Sequence, residues 1–149
     1  MSKVVTSVII KAPIDAVWAE LSDLEQHVEW MADAVKLDFH SAQRHGVGTS
    51  FACYTKVGPL RTVDEMTVTG WEDLVSIEVE HRGVFEGRGE FRLESQGDDR
   101  TTVIWTEALT FPLWMAGPLG AWVARPILKG IWSKNLTRLQ QRVEGTQSS

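Results

Sequence analysis

Three ionisable side chains interrupt apolar strand patterns in the middle of this chain of 149 residues: Asp64, His81 and Glu107. Each falls at a position that the alternation of apolar and polar residues assigns to the buried face of a strand. A carboxyl group in an apolar pocket has a raised pKa, and a histidine titrates near neutral pH. The three residues are therefore candidates for general acid–base catalysis.

A second interpretation stays open for the same residues. A polar group buried without a partner costs about 1–3 kcal/mol, so the three side chains could instead satisfy one another or lie in water at the rim of a cavity. Both interpretations depend on the strand register, because a shift of one residue reverses every face.

Other kinds of site receive no support from the sequence. It contains no nucleophile elbow, zinc-protease motif, phosphate-binding loop or dinucleotide fingerprint. The remaining histidines, His27, His40 and His45, lie on different predicted elements from one another and from His81, without ligand spacing, so we expect neither a metal nor a cofactor.

Composition indicates the cellular compartment and the class of partner molecule. Cys53 is the single cysteine, which rules out an intrachain disulfide and suits a reducing compartment. The first eleven residues lack the plan of a signal peptide, so we expect a cytoplasmic protein. The net charge is -5 and the basic residues are scattered, which argues against a nucleic-acid partner.

The elements that position these residues follow from apolar spacing. A strand over 4–11 ends at Pro13, and two short helices follow over about 14–21 and 23–31. Hairpin-length connections join the later strands, which predicts a largely antiparallel sheet. With the first, the predicted strands number seven: residues 4–11, 35–40, 49–57, 60–69, 75–81, 84–94 and 101–111.

A long helix closes the chain, from Gly117-Pro118 to about residue 144, with a kink at Pro126 and a frayed tail over 145–149. Its first half carries an apolar row of Leu119, Val123 and Ile127. The length suits one domain spanning residues 1–149, of the α+β class.

The opening of the chain resembles a known superfamily. Ala12-Pro13, Val17-Trp18, Leu21, Asp23 and Trp30, followed by strands and a closing helix, are similar to the START-like (SRPBCC) superfamily, nearest to its polyketide cyclase/dehydrase and lipid transport branch. The resemblance covers about residues 3–144. It implies a helix-grip fold, in which a seven-stranded antiparallel sheet wraps around the C-terminal helix and leaves a hydrophobic cavity. It also implies binding of lipids, sterols, polyketides or hormones, but no family-wide catalytic residue.

Seven tryptophans against one tyrosine favour either a tryptophan-rich core or a cavity partly walled by indole rings. Gly87 and Gly89 lie on the inner face of the strand over 84–94. At these positions either the closing helix approaches closely or space is left for a ligand. Candidate ligand-binding residues are Trp30, Phe51, Tyr54, Gly87, Gly89, Trp105, Trp114, Trp122, Ile127 and Ile131.

The segment 111–124 carries no charge across fourteen residues and is too short to span a bilayer. It is either a hydrophobic lid on the body or a surface that makes transient contact with a membrane or a protein, with Trp114 and Trp122 as anchors.

Three functions remain open. We favour a protein that binds a small hydrophobic or aromatic ligand. The second is a cyclase or aromatase acting on a polyketide chain, with Asp64, His81 or Glu107 moving protons. The third is an interaction module whose cavity is vestigial. The oligomeric state and the identity of the ligand lie beyond the sequence.

Overall fold

The structure is a computed structural model that describes residues 2–111 and 117–147. The predicted order of elements is confirmed within these residues. Two helices precede the second strand, α1 (Ile14–Leu21) and a 3₁₀ helix (Leu24–Glu29), and α2 (Gly117–Gln147) follows the last one. The strands are β1 (Ser2–Ile10), β2 (Ala34–Phe39), β3 (Ser50–Val57), β4 (Leu60–Glu72), β5 (Ser76–Arg82), β6 (Glu86–Ser95) and β7 (Thr101–Thr110).

The strands form one sheet in the order β1-β7-β6-β5-β4-β3-β2, and every neighbouring pair is antiparallel. From β2 to β7 each strand therefore pairs with the next one along the chain. The segment from α1 to the 3₁₀ helix carries the chain from one sheet edge, β1, to the other, β2. Helix α2 packs against β1, β7 and α1, which gives the predicted α+β helix-grip architecture.

Helix α1 begins where the sequence predicts. Pro13 is extended and precedes the helix, and the Asp15 carboxylate in the first turn accepts the backbone N–H of Ala16. Val17 and Leu21 are fully buried. The second predicted helix is a 3₁₀ turn, in which the N–H of Gln26 bonds to the carbonyl of Asp23.

Burial of alternate residues confirms the predicted strand faces. Phe91 and Leu93 of β6 and Val103 of β7 are buried, whereas the charged residues that alternate with them on β6 face outward. Val35 is an exception, with 56% of its surface exposed. The register shifts between Ala34 and Lys36, so Ala34 takes the buried position that the simple alternation assigns to Val35.

Tryptophans form part of the core. Trp30 is fully buried, and its ring lies 6.2 Å from that of Trp105, which lies 5.4 Å from that of Trp132 on α2. These three indoles connect the 3₁₀ helix, the sheet and α2. They support the interpretation of a tryptophan-rich core for this part of the molecule.

Helix α2 continues through Pro126 to Gln147, three residues past the predicted end. The bend at Pro126 stays a prediction. The apolar row in its first half is largely exposed: Leu119, Val123 and Ile127 are 65%, 55% and 56% exposed. The side of α2 toward the body carries Ala121, Ala124 and Leu128. Residues 112–116, at the centre of the predicted lid, and 148–149 lie outside the described residues.

The buried side-chain amide of Asn135 connects α2 to the segment before β2 by hydrogen bonds. Asn135 is fully buried, and its Oδ1 accepts the backbone N–H of Ala32 at 3.0 Å. Its Nδ2 donates to the Asp33 carboxylate at 2.6 Å, and Trp132 Nε1 donates to the same carboxylate at 3.2 Å. Since this segment joins the 3₁₀ helix to β2, the network holds α2 over the sheet.

Replacement of Asn135 by leucine should lower the free energy of unfolding by about 2–4 kcal/mol, because it leaves a backbone N–H and a carboxylate short of partners at about 1–3 kcal/mol each. Urea denaturation measures this loss. Lys134→Leu is the matched control, since Lys134 is exposed on the same helix, and it should change stability by less than about 0.5 kcal/mol. Equal stability of the two variants would contradict the role of the network.

Candidate functional site

A cavity of about 250 Å³ lies between the sheet and α2. It is slightly below the range of about 300–1,000 Å³ typical of ligand pockets, so it suits one small molecule. Alternate residues of β3, among them Phe51, Cys53 and Thr55, line one wall. Residues of α2 line the opposite wall: Ala124, Ile127, Leu128 and Trp132.

The three ionisable residues predicted to face inward all line this cavity. Asp64 and Glu107 are buried, with 3% and 6% of their surfaces exposed, and the His81 side chain is 11% exposed. The strand register that was inferred from alternation therefore has the correct parity on β4, β5 and β7. The structure brings His81 and Glu107 into direct contact.

Four of the other predicted residues also line the cavity: Phe51, Gly89, Trp105 and Ile127. Trp114 lies outside the described residues. The remaining five occupy other places in the structure, for reasons that differ from residue to residue.

Two of these five belong to the core. Trp30 is fully buried among Trp105, Phe91 and His27, and Ile131 packs against the same cluster. Side chains at these positions support the lining residues from behind and do not reach the cavity.

Two more of the five face outward. Tyr54 alternates with Cys53 and Thr55, so it lies on the outer face of β3, where the Lys36 ammonium is 5.3 Å from its ring. Trp122 is 71% exposed on the outside of α2. Neither of these two candidate ligand-binding residues therefore lines the cavity in this structure.

The two inward glycines have separate causes, and neither is a close approach of α2. Gly87 has a φ of 153°, and a Cβ there would overlap the carbonyl oxygen of Ala108 on the neighbouring strand. A Cβ on Gly89 would lie 2.6–2.8 Å from the Glu107 carboxylate atoms. Gly87 thus permits close strand packing, and Gly89 makes room for a side chain.

The room at Gly89 explains the contact between His81 and Glu107. Gly89 on β6 pairs with Val79 on β5 and with Glu107 on β7, so β6 separates the two ionisable residues. Because Gly89 has no side chain, the Glu107 carboxylate reaches across β6, and its Oε2 lies 3.0 Å from His81 Nε2. Its other oxygen, Oε1, accepts Trp105 Nε1–H at 2.9 Å.

The ion pair leaves hydrogen-bonding capacity in the cavity. His81 Nε2 and Glu107 Oε2 lie 3.0 Å apart, at ion-pair distance, and neither atom has another hydrogen-bond partner among the described residues. Buried polar atoms without partners are rare in proteins, and they are expected where a ligand or a water completes the site.

Electrostatics favours a charged histidine in this cluster. Burial alone lowers the pKa of His81, but the charges of Glu107 and Asp64 outweigh it and raise the pKa above its ordinary value of 6.5. Burial raises the pKa of Asp64 above its ordinary value of 3.8, although the Phe85 backbone N–H and the His81 charge oppose the rise. A proton donor and a carboxyl that is more easily protonated than usual therefore face the same space.

Two cavity residues that sequence reasoning did not assign to the site have structural roles. His27 Nε2 lies 2.7 Å from the carbonyl oxygen of Leu21, and its ring packs against Trp30 and Phe91. Burial lowers the pKa of His27, so the neutral form is favoured. Burial also raises the pKa of the Cys53 thiol to about 11, which leaves it an apolar wall residue and not a nucleophile.

Within residues 2–111 and 117–147, no three histidine, cysteine or acidic side chains are grouped closely enough to hold a metal ion. No helix in the same part of the chain combines the length and hydropathy needed to cross a bilayer. The ionisable side chains that line the cavity, Asp64, His81 and Glu107, can provide hydrogen bonds, charge and proton transfer.

A family model described as polyketide cyclase/dehydrase and lipid transport matches residues 1–144. Among curated protein sequences, none matches this chain. The structure of TTHA0849 from Thermus thermophilus is similar, with a TM-score of 0.77 and 19% identity over 97% of this chain and 99% of that one. The ZhuI aromatase/cyclase from Streptomyces sp. R1128 is similar with a TM-score of 0.74 and 18% identity, over 96% of this chain and 93% of that chain. At these identities the likeness of the structures concerns the fold.

Replacement of Glu107 by glutamine should lower the pKa of His81, because it removes the nearest opposite charge while keeping the shape of the side chain. A titration of the histidine ring signals by NMR measures the change. His40 is the internal control, since it pairs with Glu65 on the surface. An unchanged His81 pKa would contradict the ion pair.

The same variant has a defined effect on stability. Because the folded state raises the pKa of His81, the pair adds stability that is fully present below the unfolded pKa of about 6.5 and is lost as the pH rises through the folded value. The difference in unfolding free energy between wild type and Glu107→Gln should therefore be larger near about pH 6 than at pH values above the folded pKa.

Proposed function

Because the chain belongs to the polyketide cyclase/dehydrase and lipid transport family, we propose that it binds one small, mostly apolar or aromatic molecule in the cavity between the sheet and α2. The observation that carries the proposal is the buried ion pair of His81 Nε2 and Glu107 Oε2, two atoms without another hydrogen-bond partner, in a mostly apolar cavity. Such a site attracts a ligand by apolar burial and orients it by one polar contact.

The walls favour a ring system over a flexible chain. Phe51, Phe85, Phe91 and Trp105 present aromatic faces and edges to the cavity. Aromatic pairs gain about 0.5–1.5 kcal/mol beyond the burial of their area. The volume of about 250 Å³ is far too small for a lipid with two acyl chains.

The polar wall specifies the ligand's functional group. Protonated His81 donates a hydrogen bond, whereas the carboxylates of Glu107 and Asp64 accept one. A hydroxyl group can do both, and a keto oxygen can accept from His81. We therefore expect a ligand that carries a phenolic hydroxyl or a ketone at the end that meets this wall.

A cyclase is the second candidate, and the contact between His81 and Glu107 is the observation that favours it. In such a reaction the Asp64 carboxylate would take a proton from a carbon between two carbonyl groups of a polyketide. That carbon would then bond to a second carbonyl carbon, whose oxygen would take the proton of His81. Glu107 would hold His81 in its protonated form.

Filling the cavity should weaken the binding of a hydrophobic probe. Val79 lines the cavity, and Val79→Trp should weaken uptake of the neutral fluorophore N-phenylnaphthylamine at least about 10-fold, because the indole occupies the space of the ligand. Val63→Trp is the matched control, since Val63 lies on the outer face of β4 and is 48% exposed. Mass spectrometry of small molecules extracted from both purified variants identifies the native ligand, which should be present only with Val63→Trp. Equal uptake by the two variants would rule out the cavity as the binding site.

Substitution at the polar wall separates carrier from enzyme. For a carrier, His81→Gln and Glu107→Gln should weaken the affinity for the extracted ligand by about 1–2 kcal/mol, the scale of a hydrogen bond. For a cyclase, they should slow ring closure of a linear poly-β-keto thioester roughly 10²-fold or more, the scale of lost acid–base catalysis. No ring closure by the wild-type protein would remove the second candidate.

A further inference from the structure

Charge is divided very unevenly between α2 and the rest of the chain. Helix α2 carries five basic residues and one acidic residue, a net charge of +4. The whole chain has 15 basic and 20 acidic residues, so the remainder carries 10 and 19, a net charge of -9. The helix is thus a basic surface on an acidic protein, and it would be drawn to an anionic partner.

The first half of α2 also exposes large apolar side chains. Leu119, Trp122, Val123 and Ile127 are 65%, 71%, 55% and 56% exposed. At 3.6 residues per turn they lie within an arc of about 140° on the side away from the body. Large side chains clustered in this way differ from the scattered apolar residues of an ordinary surface, and they mark an interaction site.

Basic side chains border the apolar arc. Arg125 and Lys129 lie on α2 beside it, and Lys3 and Val5 of β1 form a shallow groove with Trp122 and Val123. Within the part of the chain that the structure describes, no carboxylate lies at ion-pair distance from Lys3, Arg125 or Lys129. An indole among aliphatic side chains, flanked by lysine and arginine, is the composition of an interfacial membrane helix.

The apolar arc adjoins the cavity. Ile127 lines the cavity and is at the same time more than half exposed. Ala124 and Leu128, on either side of it in the chain, line the cavity as well. A surface that covers Ile127 would therefore meet the cavity wall that α2 provides.

We propose that the first half of α2, through Leu119, Trp122, Val123, Ile127, Arg125 and Lys129 together with Lys3 and Val5 of β1, docks on an anionic lipid bilayer. The apolar side chains enter the interfacial region, and the basic side chains contact acidic headgroups. Charge complementarity favours this occupant, since a symmetric dimer through this surface would bring two like-charged helices together. Docking needs no bound ligand, so it stands or falls independently of the proposed ligand binding.

Flotation with lipid vesicles tests the proposal. The wild-type protein should float with phosphatidylcholine vesicles that contain roughly one third phosphatidylserine, and not with pure phosphatidylcholine. Binding should fall at least about 10-fold between ionic strengths of about 0.1 M and 1 M, because the Debye length shrinks from about 10 Å to 3 Å.

Two double variants separate the apolar and the electrostatic parts. Arg125→Gln with Lys129→Gln should weaken binding about 10-fold or more, since each basic residue near an acidic bilayer contributes roughly fivefold. Trp122→Ser with Val123→Ser should weaken it at least as much, through lost apolar burial. All four positions are exposed, so folding should be retained, which circular dichroism verifies.

Matched controls come from β2 and β4, on the opposite side of the sheet from β1. Lys36→Gln with Arg61→Gln removes two exposed charges, and Val35→Ser with Val63→Ser removes two exposed apolar side chains. Both controls should bind vesicles like the wild type.

The proposal is overturned if the wild type does not float, if it floats equally with both kinds of vesicle, or if controls and docking variants lose binding alike. It is also overturned if the wild type elutes as a dimer in size-exclusion chromatography and Trp122→Ser with Val123→Ser makes it a monomer, which would assign the surface to a second copy of this chain.

Discussion

The contact between Glu107 and His81 across β6 depends on one missing side chain. Any residue larger than glycine at position 89 would occupy the space of the Glu107 carboxylate, and the two ionisable groups would be separated by a strand. With the glycine in place, two charges are buried side by side in an apolar enclosure. Burial of a charge pair costs free energy of desolvation. Here His81 Nε2 and Glu107 Oε2 also have no hydrogen-bond partner besides each other. We interpret this unfavourable burial as evidence that a ligand completes the site.

The rest of the fold keeps that site open. One core cluster joins α1, β6, β7 and α2, and a second joins β3, β4 and β5. Residues of both clusters line the cavity, such as Trp105 from the first and Phe51 from the second. The Asn135 network attaches α2 at its second half, where the helix is buried. The first half carries the remaining cavity wall and is exposed on its other side, so the cavity is bounded by the less firmly packed part of the helix.

Much of this arrangement follows from the sequence. Alternation gave the correct face for Asp64, His81 and Glu107, because period-two patterns survive wherever a sheet is buried on one side. The order of elements, with the opening Ala12-Pro13 and Trp30, predicted the fold and the family. The spacing within α2 did not reveal the orientation of its first half, because Leu119, Val123 and Ile127 form a regular apolar row whether that row is buried or exposed. Likewise, the reasons for Gly87 and Gly89 lie on the neighbouring strand β7, and no local pattern reveals a partner across the sheet.

A ligand in the cavity should meet the wall that His81 and Glu107 form. A crystal structure of the protein soaked with para-iodophenol tests this most directly, since the iodine is located by its anomalous signal and the hydroxyl group mimics the expected polar end. We predict one iodine site between Phe51, Phe91 and Ile127, with the phenol oxygen at hydrogen-bond distance, about 2.6–3.2 Å, from His81 Nε2 or Glu107 Oε2. Iodine found only on the outer surface, or a ring in the cavity with its hydroxyl turned away from both residues, would contradict the proposed site.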